Sequence, residues 1–131
     1  MTTLTTKLEI KSWDEKPYRE LDDGRKFSRA EVILAGGGGE LASGAFESLL
    51  YYEADGTSTF VTVMQLDATL DGRPGSVMLA GDGSYDGTSA RLTARIVAGT
   101  GELTGIRGEL ESASTHQDYP HMPITLTYEL A

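Results

Sequence analysis

Hydrophobic and polar residues alternate along most of the chain. Over residues 123–130, for example, Ile124, Leu126, Tyr128 and Leu130 alternate with polar residues. Alternation with a period of two is typical of a β-strand that buries one face. Apolar residues do not recur at helical spacing over a useful length, so the pattern favours an all-β chain. We predict eight strands, over residues 3–13, 26–34, 41–53, 57–70, 76–80, 88–98, 103–110 and 123–130.

The third and fourth predicted strands carry apolar residues on both faces. In the fourth strand, Phe60 and Met64 lie on one face, and Val61 and Val63 lie on the other. Strands of this kind are usually covered on both sides. We therefore expect the outer face of these strands to be covered too, and a partner subunit is one way to cover it. A homo-oligomer is the corresponding expectation.

Turns rich in glycine separate most of the predicted strands. Asp-Gly pairs at 55–56 and 71–72 are typical of tight connections between antiparallel neighbours, whereas the polar segment 14–25 predicts a longer loop. Eight short antiparallel strands form a sandwich or a closed barrel. A closed eight-stranded antiparallel β-barrel leaves no free sheet edge and can enclose one small ligand. The length of 131 residues fits a single domain over residues 1–131.

The composition excludes several classes of function. The chain has no cysteine, and therefore neither a thiolate nucleophile nor a zinc–thiolate site. Its net charge of −9 repels phosphate backbones and anionic lipids, so we expect no nucleic acid and no membrane as partners. No apolar run approaches the ~18 residues of a spanning helix, and the first residues lack the pattern of a signal peptide. These features predict a cytoplasmic protein.

Three short motifs have some features of ligand sites, but their context favours turns. The glycines at 36–39 lack the following helix that a phosphate loop requires, so we interpret them as a hairpin connection. Residues 82–87 begin like a calcium loop, but Thr93 stands where that loop needs a glutamate. His116 and His121 are five residues apart with a proline between them, which fits no regular metal site. We interpret their segment as a polar loop that can serve as a lid, and we expect no metal and no cofactor.

Four segments resemble one bacterial family. They are Lys-Ser-Trp-Asp-Glu-Lys-Pro-Tyr at 11–18, Tyr52 followed by Asp-Gly-Thr at 55–57, Thr-Leu-Asp-Gly-Arg-Pro-Gly-Ser at 69–76, and the glycine-rich segment 97–108. Over nearly the whole chain, the sequence resembles the family known as domain of unknown function 3224. The resemblance implies a barrel of the allene oxide cyclase type, an eight-stranded cup, and it implies no particular reaction.

We predict that one carboxylate and two tyrosines act on a ligand. Glu47 lies between Phe46 and Leu49 in the third predicted strand, and desolvation on a buried strand would favour its protonated form and suit it to act as an acid or a base. A carboxylate on the outer surface is the alternative, because neighbours along a strand face opposite sides. Tyr52 and Tyr128 are the predicted hydrogen-bond donors. Apolar ligand-binding residues are predicted at Val32, Phe60, Met64, Leu92, Ile96 and Leu126.

The function predicted from these features is binding of a small hydrophobic metabolite inside the barrel. The barrel would act as a cofactor-independent cyclase or isomerase if it held a flexible substrate in a reactive conformation. A non-catalytic carrier is the second interpretation. A barrel filled by its own side chains, with a structural role, is the third.

Overall fold

The structure, a computed structural model, describes residues 1–36 and 39–131, and these residues form an antiparallel barrel of eight strands. The strands are β1 (Thr2–Glu20), β2 (Lys26–Ala35), β3 (Leu41–Tyr52), β4 (Ser58–Leu70), β5 (Arg73–Tyr85), β6 (Ser89–Gly99), β7 (Arg107–Thr115) and β8 (His121–Glu129). Each strand pairs with the next one in the chain, and β8 pairs with β1 to close the ring. The predicted all-β, eight-stranded antiparallel barrel is therefore confirmed.

The alternating pattern determines which residues face the interior. In β2, Ala30, Val32 and Leu34 are buried, whereas the residues between them are exposed. The same alternation extends to the neighbouring strands, because cross-strand partners point to the same face of a sheet. In β1 it changes phase at a bulge between Ile10 and Ser12, so that Ile10 and Trp13 both face inward. The inward side chains of all eight strands form one hydrophobic core.

One end of the barrel is filled by a turn between β6 and β7. Gly101–Leu103 forms a short 3-10 helix, which the backbone N–H of Thr100 ties to β5 by a 2.9 Å hydrogen bond to the carbonyl of Ser76. Leu103 and Ile106 are buried in the core at this end. We call it the closed end. The predicted strand over 103–110 is wrong in its first half, because these residues turn inward before β7 begins at Arg107.

Two strands are longer than the sequence pattern predicts. The segment 14–25 does not form a loop throughout, because β1 continues to Glu20 and pairs with β2. Its register shifts between Pro17 and Arg19, and such a bulge accommodates a proline that cannot donate a backbone hydrogen bond. Similarly, β5 continues through Gly81 and Gly83 to Tyr85, where the glycines predict a turn.

The outer face of β3 and β4 is exposed in the chain. Leu49, Val61 and Val63 are 49%, 56% and 60% exposed, so the described residues do not supply the outer cover that the sequence pattern leads us to expect. The hairpin connection predicted at 36–39 includes Gly37 and Gly38, which lie outside the described residues. Within the described part of the chain, no helix has the length and hydrophobicity that crossing a membrane would require.

Candidate functional site

A cavity of about 420 Å³ enters the barrel at the end opposite the closed end. This end, the mouth, carries the turns that join β1 to β2, β3 to β4, β5 to β6 and β7 to β8. The apolar wall of the cavity consists of Ile10, Trp13, Phe46, Leu50, Phe60, Ala90, Leu92 and Met122. The polar wall consists of Ser48, Tyr52, Ser58, Thr62, Tyr85, Ser112 and Ser114, and the rim of Thr88, Arg91, Thr115, His116, Tyr119 and His121.

Small inward residues create this space. Toward the closed end, the inward positions of β4 hold Leu66 and Leu70, which are fully buried, whereas toward the mouth they hold Ser58 and Thr62. The same change occurs in β7, from Leu110 toward the closed end to serines toward the mouth. Because an eight-stranded barrel is just wide enough for its side chains to fill it, short residues in one half leave that half hollow.

Phe60 takes its place in the cavity wall because β5 has glycine opposite it. The two residues Phe60 and Gly83 are cross-strand partners. A Cβ atom on Gly83 would lie 2.6 Å from Cε1 of Phe60, closer than side-chain carbons approach one another. The aromatic ring therefore lies directly over the glycine backbone and forms part of the wall.

A carboxylate behind the wall organises the polar side of the cavity. Oε2 of Glu15 accepts hydrogen bonds from the hydroxyl groups of Tyr52, at 2.6 Å, and Ser28, at 2.8 Å. Its other oxygen, Oε1, accepts the indole N–H of Trp13 at 3.0 Å. The ring of Trp13 in turn meets Phe46 edge to face, with 6.0 Å between the ring centroids. Glu15 thus fixes the orientation of Tyr52 and Trp13, two residues of the cavity wall.

These contacts hold Glu15 in its ionised form. Partial burial by itself raises the pKa of a carboxyl group, but the hydrogen bonds from Tyr52, Ser28 and Trp13 outweigh this effect and lower the pKa of Glu15. For Tyr52, burial and the hydrogen bond to the carboxylate both raise the pKa, so its hydroxyl group keeps its proton. Lys26 lies over the ring of Tyr52, with Nζ 5.0 Å from the ring centroid.

Other lining groups are hydrogen-bonded as well. The buried hydroxyl groups of Ser48 and Thr62 lie 2.7 Å apart and share one hydrogen bond. Ser112 donates to the backbone carbonyl of Pro123 at 2.6 Å. At the rim, Oη of Tyr85 lies 2.7 Å from Nε2 of His116.

The three residues predicted to act on a ligand lie in different parts of the structure. Glu47 lies on the outer face, where it forms an ion pair with Arg29, so it does not reach the cavity. Tyr128 is buried near the closed end, and burial raises its pKa. Its hydroxyl group has no hydrogen-bond partner among the described residues. Tyr52 lines the cavity, but its hydroxyl group already donates a hydrogen bond to Glu15. This oxygen can therefore accept a further hydrogen bond but cannot be the predicted donor.

The predicted apolar ligand-binding residues divide between the cavity and the core. Phe60 and Leu92 line the cavity. The remaining four, Val32, Met64, Ile96 and Leu126, belong to or pack against the core and do not line it. These residues therefore do face the interior of the barrel, as predicted. Alternation alone does not show at which point along a strand the packed core ends and the cavity begins.

The histidines at the rim do not form a metal centre with their neighbours. His116 contacts Tyr85, and within residues 1–36 and 39–131 no three His, Asp or Glu side chains are grouped closely enough to hold a metal ion.

A second groove, of about 650 Å³, lies on the outer wall of the barrel. It runs beside three aromatic rings, Tyr18, Phe27 and Tyr51, which pack at centroid distances of 6.2 and 5.1 Å. Its charged residues, such as Asp82 and Arg91, are exposed to solvent. The interior cavity is surrounded by the barrel wall and is lined by several buried polar side chains. These are the features of small-molecule sites, so it is the candidate site.

The family of proteins of unknown function called DUF3224 has a model that matches residues 4–128. The chain belongs to this family. A solved DUF3224 structure of unknown function from Shewanella oneidensis MR-1 is similar, with a TM-score of 0.76 and 25% identity, covering 100% of this chain and 98% of that chain. A structure named pyocyanin demethylase has a TM-score of 0.68 and 15% identity, covering 98% of this chain and 100% of that chain, and shows the fold alone. No curated protein has a significant match to the sequence.

The segment 11–18, by which the sequence resembles DUF3224, contains two site residues that the hydrophobic pattern does not reveal. Trp13 and Glu15 lie in the part of β1 that this pattern predicts as strand end and loop. The motif itself could have revealed them, because side chains two residues apart in a strand, such as those of Trp13 and Glu15, lie on the same face. In this DUF3224 protein, Glu15 on that face accepts hydrogen bonds from Tyr52 and Ser28.

Proposed function

We propose that the protein binds a small hydrophobic metabolite in the cavity at the mouth of the barrel. The observation that carries this proposal is the cavity of about 420 Å³, lined by aromatic and aliphatic side chains and by a few oriented hydroxyl groups. Binding sites for small molecules are concave and mostly apolar, with a few polar groups that fix the orientation of the ligand. A barrel filled by its own side chains would have no such space, so the cavity weighs against the purely structural interpretation.

Two activities are compatible with this cavity. A cyclase or isomerase that needs no cofactor would confine a flexible substrate, because removing its conformational freedom lowers the barrier to reaction. A carrier would bind the same compound and release it unchanged. That a protein with this fold bears the name pyocyanin demethylase supports the view that such a barrel can act on a small molecule. The cytoplasmic location and the absence of a cofactor stay predictions.

Native mass spectrometry of the purified protein, after incubation with extracts of apolar metabolites, tests the proposal. We expect a retained compound, which denaturation then releases for identification. A compound released unchanged favours the carrier, and an isomer or cyclised product absent from protein-free controls favours the enzyme.

A matched pair of variants shows whether the compound lies in the cavity. Ala90 lines the mouth, and Ala113 lies on the exposed outer face of β7. We expect Ala90→Trp to fill part of the cavity and reduce retention, whereas Ala113→Trp adds the same side chain outside and leaves retention unchanged. No retained compound in the unmodified protein, or equal retention in both variants, would contradict binding in the cavity.

A further inference from the structure

The directions of the hydrogen bonds around the cavity determine what polar groups it offers to a ligand. A carboxylate oxygen has lone pairs and no proton, so it can only accept. The 2.6 Å contact between Tyr52 and Glu15 therefore uses the single proton of the tyrosine hydroxyl group. The hydroxyl oxygen of Tyr52 can still accept hydrogen bonds, but it has no second proton to donate.

Two further lining residues have lost their donors in the same way. The indole N–H of Trp13 points to Glu15, and indole nitrogen has no acceptor capacity, so this residue offers only its ring. Ser112 donates to the carbonyl oxygen of Pro123, which can only accept, and Ser112 is left as an acceptor. The interior wall thus holds two fixed acceptors, on Tyr52 and Ser112.

The hydrogen-bond donors that remain among the lining side chains are rotatable hydroxyl groups and nitrogen atoms at the rim. Ser58 and Ser114 carry hydroxyl groups that can rotate, so each can donate or accept. Ser48 and Thr62 use one of their two protons in their shared hydrogen bond, so this pair keeps a single rotatable donor. Among the described lining residues, the nitrogen donors that remain are on Arg91 and the two histidines, all exposed at the rim. Lys26 lies against the ring of Tyr52 and does not line the cavity. The interior is therefore biased toward accepting hydrogen bonds.

We propose that the natural ligand is an apolar molecule with a hydroxyl or N–H group, and that this group donates a hydrogen bond to Oη of Tyr52. This inference rests on the proposed function, because it names the class of molecule bound in the same cavity. A ligand with a carbonyl group at that position would set two acceptors against each other. A carboxylate there would add repulsion from the ionised Glu15 behind the tyrosine.

Two rigid probe compounds of nearly the same shape, one with a hydrogen-bond donor and one with only an acceptor, test this preference. Borneol and camphor share one bicyclic skeleton and differ in that borneol has a hydroxyl group where camphor has a ketone. Binding is measured by titration calorimetry, and the fluorescence of Trp13, the single tryptophan of the chain, reports whether the compound enters the cavity. We expect borneol to bind about three- to tenfold more tightly than camphor, the factor that one net hydrogen bond provides.

Tyr52→Phe removes the acceptor and keeps the ring, so we expect the two compounds to bind this variant with nearly equal affinity. Tyr51→Phe is the matched control, because Tyr51 is the preceding residue of β3 and packs on the outer face against Phe27. It should keep the preference for borneol. The comparison of borneol with camphor in the unmodified protein needs no variant and stands even where a variant folds poorly.

Three other outcomes would each contradict a different claim. Camphor binding as tightly as borneol would refute the donor requirement and leave the proposed function intact. A preference for borneol that persists in Tyr52→Phe would refute the assignment to Tyr52. Binding of neither compound, with no change in Trp13 fluorescence, would count against the proposed function itself.

Discussion

Removal of the Glu15 carboxylate should destabilise the barrel far more than removal of an exposed glutamate. In Glu15→Ala, the hydroxyl group of Ser28 loses its acceptor at a position where the residue is 0% exposed. A buried polar group left without a partner costs about 1–3 kcal/mol. Tyr52 and Trp13 also lose their acceptor, but both border the cavity, where water can replace it. We therefore expect a loss of about 1–3 kcal/mol in the free energy of unfolding, mainly from Ser28.

A double-mutant cycle isolates this effect. Ser28→Ala removes the stranded hydroxyl group, so the second substitution should cost little in the Glu15→Ala background, and the coupling energy should approach the cost of the single change. Urea denaturation followed by circular dichroism measures all four proteins without relying on Trp13, whose environment changes. Glu47→Ala is the control, since Glu47 forms an exposed ion pair with Arg29, and it should change stability little. Equal effects of Glu15→Ala and Glu47→Ala, or a cycle without coupling, would refute the stabilising role of Glu15.

Three further predictions concern pH, packing and assembly. The stability contributed by ionised Glu15 is complete above its ordinary pKa of 4.5 and is lost as the pH falls through the lowered pKa of the folded state. Urea midpoints should therefore fall more steeply in this range for the unmodified protein than for Glu15→Gln, and parallel curves would contradict the role of Glu15. Gly83→Ala brings a methyl group against the backbone carbonyl oxygen of Arg91 in β6 and to 2.6 Å from Cε1 of Phe60, and it should cost about 1–3 kcal/mol, measured by thermal unfolding. An unchanged melting temperature would contradict the close packing of β5 against both residues. A homo-oligomer through the outer face around Val61 stays a prediction, which native mass spectrometry checks; a strict monomer would contradict it, and Val61→Glu should dissociate an oligomer.

The strand pattern could be predicted from the sequence because one face of each strand is buried. Alternation assigns Leu34, Leu66 and Leu126 to the interior, and each of them is at most 1% exposed. The ends of strands were harder to predict. β5 continues through Gly81 and Gly83, which are typical turn residues, because the glycines permit close approach of Phe60 and of the neighbouring strand β6. Local composition contains no information about a neighbour that lies on another strand.

The candidate site was less predictable, because its key contacts join distant parts of the chain. The apolar residues Phe46 and Leu49 suggest a buried carboxylate at Glu47, but the alternative that follows from alternation is the right one, since Glu47 points outward from β3. Glu15 sits in a polar segment that resembles a loop, yet its side chain faces inward between Tyr52 and Ser28. The registers of β1 with β2 and of β2 with β3 bring these three residues together, and neither register follows from the alternation alone.

The cavity itself follows from a property of the sequence that alternation does not capture, the size of the inward residues. Toward the closed end these are mainly leucine and valine, whereas toward the mouth serines, a threonine and an alanine stand among aromatic rings and four larger aliphatic residues. Larger apolar residues at the mouth would bury more surface, and cavity-filling substitutions commonly stabilise proteins. Stability alone does not account for the short side chains of Ser58 and Ala90 at these positions. Their small size is explained if the missing volume belongs to a ligand, so the pattern of inward residues supports the proposed function.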